Sequence, residues 1–255
     1  MNSRHLVSSL EYAAKMKASH LRSGAEQMQV GSSNSGTSSQ AASPLEHVDP
    51  AWSSLLASPE DDTVRLVSCV IRHILYFAPP QDGAILPAVL ELRDANSNLS
   101  AHTPQLQRKV IAIDDGGLIY RQHHRHEITG LCIVAKSRVV VLEAKRQFQS
   151  LEKGRPIISD NCFAQMTCEA LVARLADPSK VLSIVKRVIV IHAVQHYLCF
   201  LDFHISDEYL ADFESDAPSC YLRVSATEWF DLSPKRGRKL VATNLCGIMH
   251  WARQW

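Results

Sequence analysis

Val139-Val140-Val141-Leu142-Glu143-Ala144-Lys145-Arg146 is an apolar run that ends in alternating charge. In a strand, successive side chains point to opposite faces, so Glu143 and Lys145 share one face while Leu142 and Ala144 share the other. A carboxylate and an ammonium closing an apolar strand on one face are costly unless they are paired or bind something. The unbroken apolar character of the run predicts a strand covered on both faces, as in an α/β sheet.

Working outward, residues 128–134 form a second apolar run, separated from the first by Ala135-Lys136-Ser137-Arg138. So short a connection predicts an antiparallel pair. Earlier still, Val110-Ile111-Ala112-Ile113 and Leu118-Ile119-Tyr120 flank Asp114-Asp115-Gly116-Gly117, which reads as the turn of a hairpin-like or interrupted strand. Ser58-Pro59-Glu60-Asp61-Asp62 has the N-cap, proline and acidic first turn of a helix start. That helix should run through Val64, Val67, Ile71 and Leu75 and stop at Pro79-Pro80. A short helix is expected over residues 84–93 and a polar loop over 94–103. Downstream, residues 160–175 predict a helix with Phe163, Met166, Ala170, Leu171 and Leu175 facing in. Strands follow at 188–194, 197–203 and 221–224, then a C-terminal helix carrying Leu240, Val241, Leu245, Ile248 and Trp251.

With 255 residues, 46% apolar and 21% charged, the chain can bury one sizeable core. Residues 1–49 read as an N-terminal tail containing a disordered Ser/Gly-rich linker at 31–43, and residues 50–255 as the folded domain. Residues 1–22 fit either a short surface helix or a mitochondrial presequence. The 27 Lys and Arg against 26 Asp and Glu give no global attraction to a polyanion, so any such site must be a local patch. Seven scattered cysteines read as reduced core residues of an intracellular protein, nuclear or cytoplasmic. No segment has the length and hydropathy of a membrane span, and no membrane partner is expected.

The order helix, strand, strand hairpin, Glu-x-Lys, helix, strand resembles the αβββαβ core of the PD-(D/E)XK, or restriction-endonuclease-like, nucleases over about two fifths of the chain. This implies an α/β fold with a mixed central sheet flanked by helices, here extended by a C-terminal strand and helix. The resemblance further implies a metal-dependent phosphodiesterase that cuts DNA or RNA with Mg²⁺ or Mn²⁺. Glu143 would hold the ion, and Lys145 would position the attacking water and steady charge on the phosphate. Gln165, one helical turn before Glu169, matches the glutamine that many members place beside the site.

The family also wants an acid at the start of the strand paired with the Glu-x-Lys strand, and there the sequence offers Glu127-Ile128-Thr129-Gly130. Thr129 falls at the expected position and Glu127 is the available carboxylate, with Asp114 and Asp115 as second choices. A three-residue loop at Lys136 to Arg138, or a bulge near Gly130, would bring Glu127 onto the face of Glu143. Arg146, Lys153 and Arg155, and further on Lys235, Arg236 and Arg238, are the basic residues placed to contact phosphates. His123, His124 and His126 beside Glu127 lack a second ligand cluster for Zn²⁺. The alternative is a catalytically inactive homologue that binds nucleic acid or a protein.

Overall fold

The computed structural model describes residues 10–14, 28–30, 60–78, 88–125, 132–152, 155–177, 182 and 186–254. Its strands are β1 Leu10–Ala14, β2 Met28–Val30, β3 Ala88–Arg93, β4 Ser97–His102, β5 Lys109–Asp114, β6 Gly116–Arg125 and β7 Cys132–Lys145. Then come β8 Ser150–Glu152, β9 Arg155–Ile157, β10 Arg187–Val194, β11 Tyr197–His204, β12 Leu222–Ala226 and β13 Phe230–Asp231. Among the described residues the helices that accompany them are α1 Glu60–Phe77, α2 Asp160–Leu175, α3 Asp207–Asp212 and α4 Lys235–Ala252. The main sheet has the order β1-β12-β11-β10-β7-β6-β3, with β13 added to β11, and β7 and β10 are its parallel pair. A smaller sheet has the order β2-β5-β4.

The two faces of the main sheet are buried by different partners. Leu142, Ala144, Ile191 and Ala193 pack under α1 and α4 with Val67, Ile71, Val241 and Leu245. Val141, Val190, Leu201 and Phe203 pack against α2, whose far side is covered in turn by Leu99, Ala101 and Ala112 of the small sheet. Helix α2 is thus clamped between two sheets, and its buried residues go round the helix instead of lining one stripe: Cys162, Met166, Thr167, Glu169, Ala170, Val172, Ala173 and Arg174. This mixed α/β architecture, with a central mixed sheet flanked by helices, agrees with the expectation from sequence. Among the described residues, no helix is long and apolar enough to cross a membrane.

Several local expectations are corrected. Residues 135–138 are not a loop: β7 runs unbroken through them, and its antiparallel partner is β6. The segment has none of the Gly, Pro, Asn or Asp that a tight turn uses, and its Arg138 is half-buried beside Asp114. The bulge lies where Leu118 faces Val140 and Ile119 faces Arg138, which leaves Val139 as the extra residue. The expected helix over 84–93 is, from Ala88 on, strand β3. There Leu90 and Leu92 pack towards the core while Glu91 pairs with Arg121 and Arg93 with Asp114. That is the period of two that a strand uses. The expected polar loop over 94–103 contains β4, whose Leu99 and Ala101 are buried alternately. The tail is not wholly outside the fold, because β1 pairs with β12 and β2 with β5. The linker at 31–43, and with it Ser58, Pro59 and Glu127, lies outside the described residues.

Asp114-Asp115-Gly116-Gly117 is a crossing between sheets, not a hairpin turn: β5 belongs to the small sheet and β6 to the main one. Asp114 is fully buried, and both its carboxylate oxygens accept from Arg93 Nη2 at 2.7 Å, while Ser97 N donates to it at 3.2 Å. Gly116 and Gly117 have φ of 148° and 152°, where L side chains are strained. A Cβ on Gly117 would stand 2.1 Å from Val140 O, and one on Gly116 would stand 2.6 Å from Arg93 O. Gly117→Ala should therefore cost about 3 kcal/mol or more. Gly247→Ala, on an exposed part of α4 with nothing within 4 Å of the new Cβ, should stabilise by about 0.5–1 kcal/mol. Urea denaturation of the two variants checks both signs.

Candidate functional site

Glu143 and Lys145 end β7 on the α2 side of the sheet, and α2 brings Gln165 over them. Gln165 Nε2 donates to Glu143 Oε1 at 2.7 Å and to Glu169 Oε1 at 3.0 Å. Lys145 Nζ lies 2.5 Å from Glu143 Oε1. Glu143 and Glu169 are each 1% exposed. The Glu143 and Glu169 carboxyls also meet each other, a contact that is a hydrogen bond only when one of them carries a proton. Oε2 of Glu169 has no hydrogen-bond donor among the described residues.

A second strand supplies another acid. Gly116 faces Leu142 across the β6–β7 ladder, and Asp115 N donates to Leu142 O at 3.0 Å, so the place opposite Glu143 falls to Asp115. Its Oδ2 accepts from Ala144 N at 2.9 Å, in the interior. Thus the two adjacent aspartates divide their work: Asp114 ties β3 and β4 to the crossing, and Asp115 faces the end of β7. Helix α1 closes the site from the other side, with Thr63 Oγ1 donating to Lys145 O at 3.4 Å and Glu60 near enough to act on Asp115 and Lys145.

This gathering of acids is electrostatically costly. Burial pushes Asp115 up to about 6, against the pull of the Ala144 hydrogen bond. Burial also raises Glu143, opposed by Lys145 and reinforced by Asp115. It raises Glu169 further, with the neighbouring Glu143 charge adding to the effect. Burial alone would lower Lys145, but the Glu143 carboxylate outweighs it and lifts the ammonium above its usual range. Three buried carboxyls therefore share one ammonium, and the Glu143–Glu169 pair keeps a proton at neutral pH.

Beside Glu143, His192 on β10 is 2% exposed, and its Nδ1 lies 3.2 Å from the Glu143 carbonyl oxygen. A carbonyl only accepts, so Nδ1 carries the proton and Nε2 is the acceptor for the Cys162 thiol 3.5 Å away. Burial lowers His192 to about 4 and pushes Cys162 up to about 12. The pair is a neutral thiol and imidazole, not an ion pair poised for nucleophilic attack.

Of the residues singled out from sequence, Glu143, Lys145 and Gln165 come together. Glu127 and Lys153 lie outside the described residues, and so do the side chains of Arg155, His123 and His124. Asp115, a second choice in sequence, stands where Glu127 was expected. Arg146 is half-buried just past the site. Lys235 and Arg236 are exposed on the first turn of α4. Leu232 N bonds His196 O in the β10–β11 turn, and Val194, next to that turn, is paired with Lys145. The first turn of α4 is therefore at the same end of the sheet as the site. Arg238 Nη1 donates to the carbonyls of Leu232 and Ser233 and fixes that turn. Glu60 and His192 were not legible as site residues, since only the packing brings them there, and Glu169 was legible only as the residue one helical turn after Gln165. Among the described residues, no three His, Cys, Asp or Glu side chains already stand in the arrangement of a metal centre. The chain matches no protein-family model, curated protein or solved structure.

The raised Asp115 has a defined effect on stability. Between its unfolded value near 3.8 and its folded value of about 6, the folded protein holds a proton that the unfolded chain has lost. Stability is then fully present below pH 3.8 and is lost as pH rises through 6. Asp115→Asn, which keeps an acceptor for Ala144 N, should gain up to about 3 kcal/mol at pH 7 and almost nothing near pH 4. Urea titrations at the two pH values in chelator-treated buffer measure this.

Proposed function

We propose that this site is the phosphodiesterase centre of a nuclease of the PD-(D/E)XK type. The observation that carries the reading is the position of Asp115: an acid at the start of β6, directly across the ladder from the Glu of Glu143-Ala144-Lys145. The order of elements supports it as well. Helix α1 precedes the antiparallel strands β3, β6 and β7, and α2 then leads to β10, parallel to β7. With the β4–β5 arm and the β8–β9 hairpin set aside as insertions, the remaining order follows the αβββαβ succession that the resemblance implies.

The residues present fit a hard divalent cation, because the buried carboxyls outnumber the ammonium among them and offer only oxygen. Asp115 and Glu143 would hold Mg²⁺ or Mn²⁺. Such an ion polarises a phosphoryl oxygen and lowers the pKa of a bound water. Lys145 is held beside the acids by Glu143, where its ammonium can orient a water and offset charge on the phosphate. Gln165 fixes the Glu143 carboxyl through its amide. Lys235 and Arg236, with Arg146 nearby, give the same end of the sheet the positive charge that a nucleic-acid backbone requires.

The test is cleavage of linear and circular DNA and of RNA in Mg²⁺, in Mn²⁺ and in EDTA. Cleavage should need the ion, and Glu143→Gln and Lys145→Ala should each slow it by about 100-fold or more while melting cooperatively. Cleavage that survives both substitutions removes Glu-x-Lys from the chemistry. A folded wild-type protein that cuts none of these substrates supports instead a binding module built on an inactive site.

A further inference from the structure

We infer that Glu169 is a third carboxylate of the cation site, so that an ion held by the acids of β6 and β7 is also held by helix α2. The inference rests on the nuclease reading above and extends it to a residue that reading does not use.

Its basis is the placement of Glu169. The residue lies on a helix packed between two sheets, among Met166, Ala170 and Ala173, which are fully buried. An apolar residue would suit that position better, since a buried acid must find either a donor or a cation. Glu169 has half of this requirement met. Oε1 accepts from Gln165 Nε2 and the acid meets the Glu143 carboxyl through a retained proton, but Oε2 has no hydrogen-bond partner among the described residues. The nearby cations are bonded elsewhere: the ammonium of Lys145, which acts on Glu169 only through space, is bonded to Glu143, and the guanidinium of Arg174, one turn further on, is bonded to Asp207.

The amide of Gln165 bridges Glu143 Oε1 and Glu169 Oε1, so the strand acid and the helix acid are held as neighbours by one side chain. Asp115 lies across the ladder from Glu143. The three carboxyls therefore come from three separately anchored elements: the crossing into β6, the end of β7 and the third turn of α2. An oxygen-only cluster with this excess of negative charge suits a hard divalent ion over a soft one.

Mn²⁺ alone is the probe, and free Mn²⁺ is read by electron paramagnetic resonance in titrations of the full chain, with thermal melts alongside. Wild-type protein should bind Mn²⁺ and melt higher with it. Glu169→Gln keeps an acceptor for Gln165 and removes a buried acid, so without metal it should melt no lower than wild type. It should nevertheless bind Mn²⁺ about tenfold or more weakly and lose most of the Mn²⁺-induced rise in Tm. Wild-type affinity in Glu169→Gln, together with lost binding in Asp115→Asn, would overturn the inference and leave the nuclease reading intact. A wild-type protein that binds no Mn²⁺ would overturn both. Should Glu169→Gln not fold, Glu169→Asp decides: weakened Mn²⁺ binding supports the third ligand, and unchanged affinity refutes it.

Discussion

At the end of β7 the Ala144 amide would have no partner on the β6 side, because β6 begins opposite Leu142. The carboxylate of Asp115 takes that amide. One hydrogen bond thus completes the ladder and sets an acid against Glu143. The crossing that delivers Asp115 is possible only because Gly116 and Gly117 slip between Arg93 of β3 and Val140 of β7. Asp114 then locks the crossing through Arg93, so the small sheet, the main sheet and the site acids are fixed by four consecutive residues. The small sheet in turn holds α2 down over β7, which is why Gln165 and Glu169 reach the same place.

The site sits in tension with the stability of the fold. Hydrophobic burial around β7 removes water from Asp115, Glu143 and Glu169, and each is raised in consequence. The chain answers part of the cost with Lys145, part with the Gln165 amide and part with a retained proton. What is left unmet is concentrated on the helix acid. Clusters that stability alone would not assemble are where function is to be sought. The neutral Cys162–His192 pair next to them behaves in the opposite way. Its hydrogen bonds are satisfied without charge, so it reads as part of the wall.

Much of this was legible in the sequence, and the limits have physical causes. The face shared by Glu143 and Lys145 follows from strand period alone, and the helices α1, α2 and α4 were visible in their apolar spacing. The partner of β7 was misjudged because Ala135-Lys136-Ser137-Arg138 is polar, and a polar stretch between two apolar runs looks like a turn. That single error moved the hairpin, and with it the acid expected across from Glu143, from Asp115 to Glu127. Asp-Asp-Gly-Gly carried the right residues for a tight turn but performs a sheet-to-sheet passage, a distinction that depends on long-range pairing. Glu169 was legible only as the residue one helical turn after Gln165, because nothing local announces that a second sheet will cover that side of α2.

The pairing of Leu10–Ala14 with Leu222–Ala226 bears on the behaviour of the molecule in a crowded solution. β12 is hydrogen-bonded on one flank to β11, and on the other flank its amides and carbonyls are met by β1. A strand whose ladder is left open is a template for any extended chain that arrives, including another copy of the same protein. Supplied from far away in sequence, the β1 segment moves the edge of the sheet from β12 onto itself. Proteolysis within the first few dozen residues would then do more than shorten the chain: it would take the outermost strand from the main sheet and leave that flank of β12 without its partner.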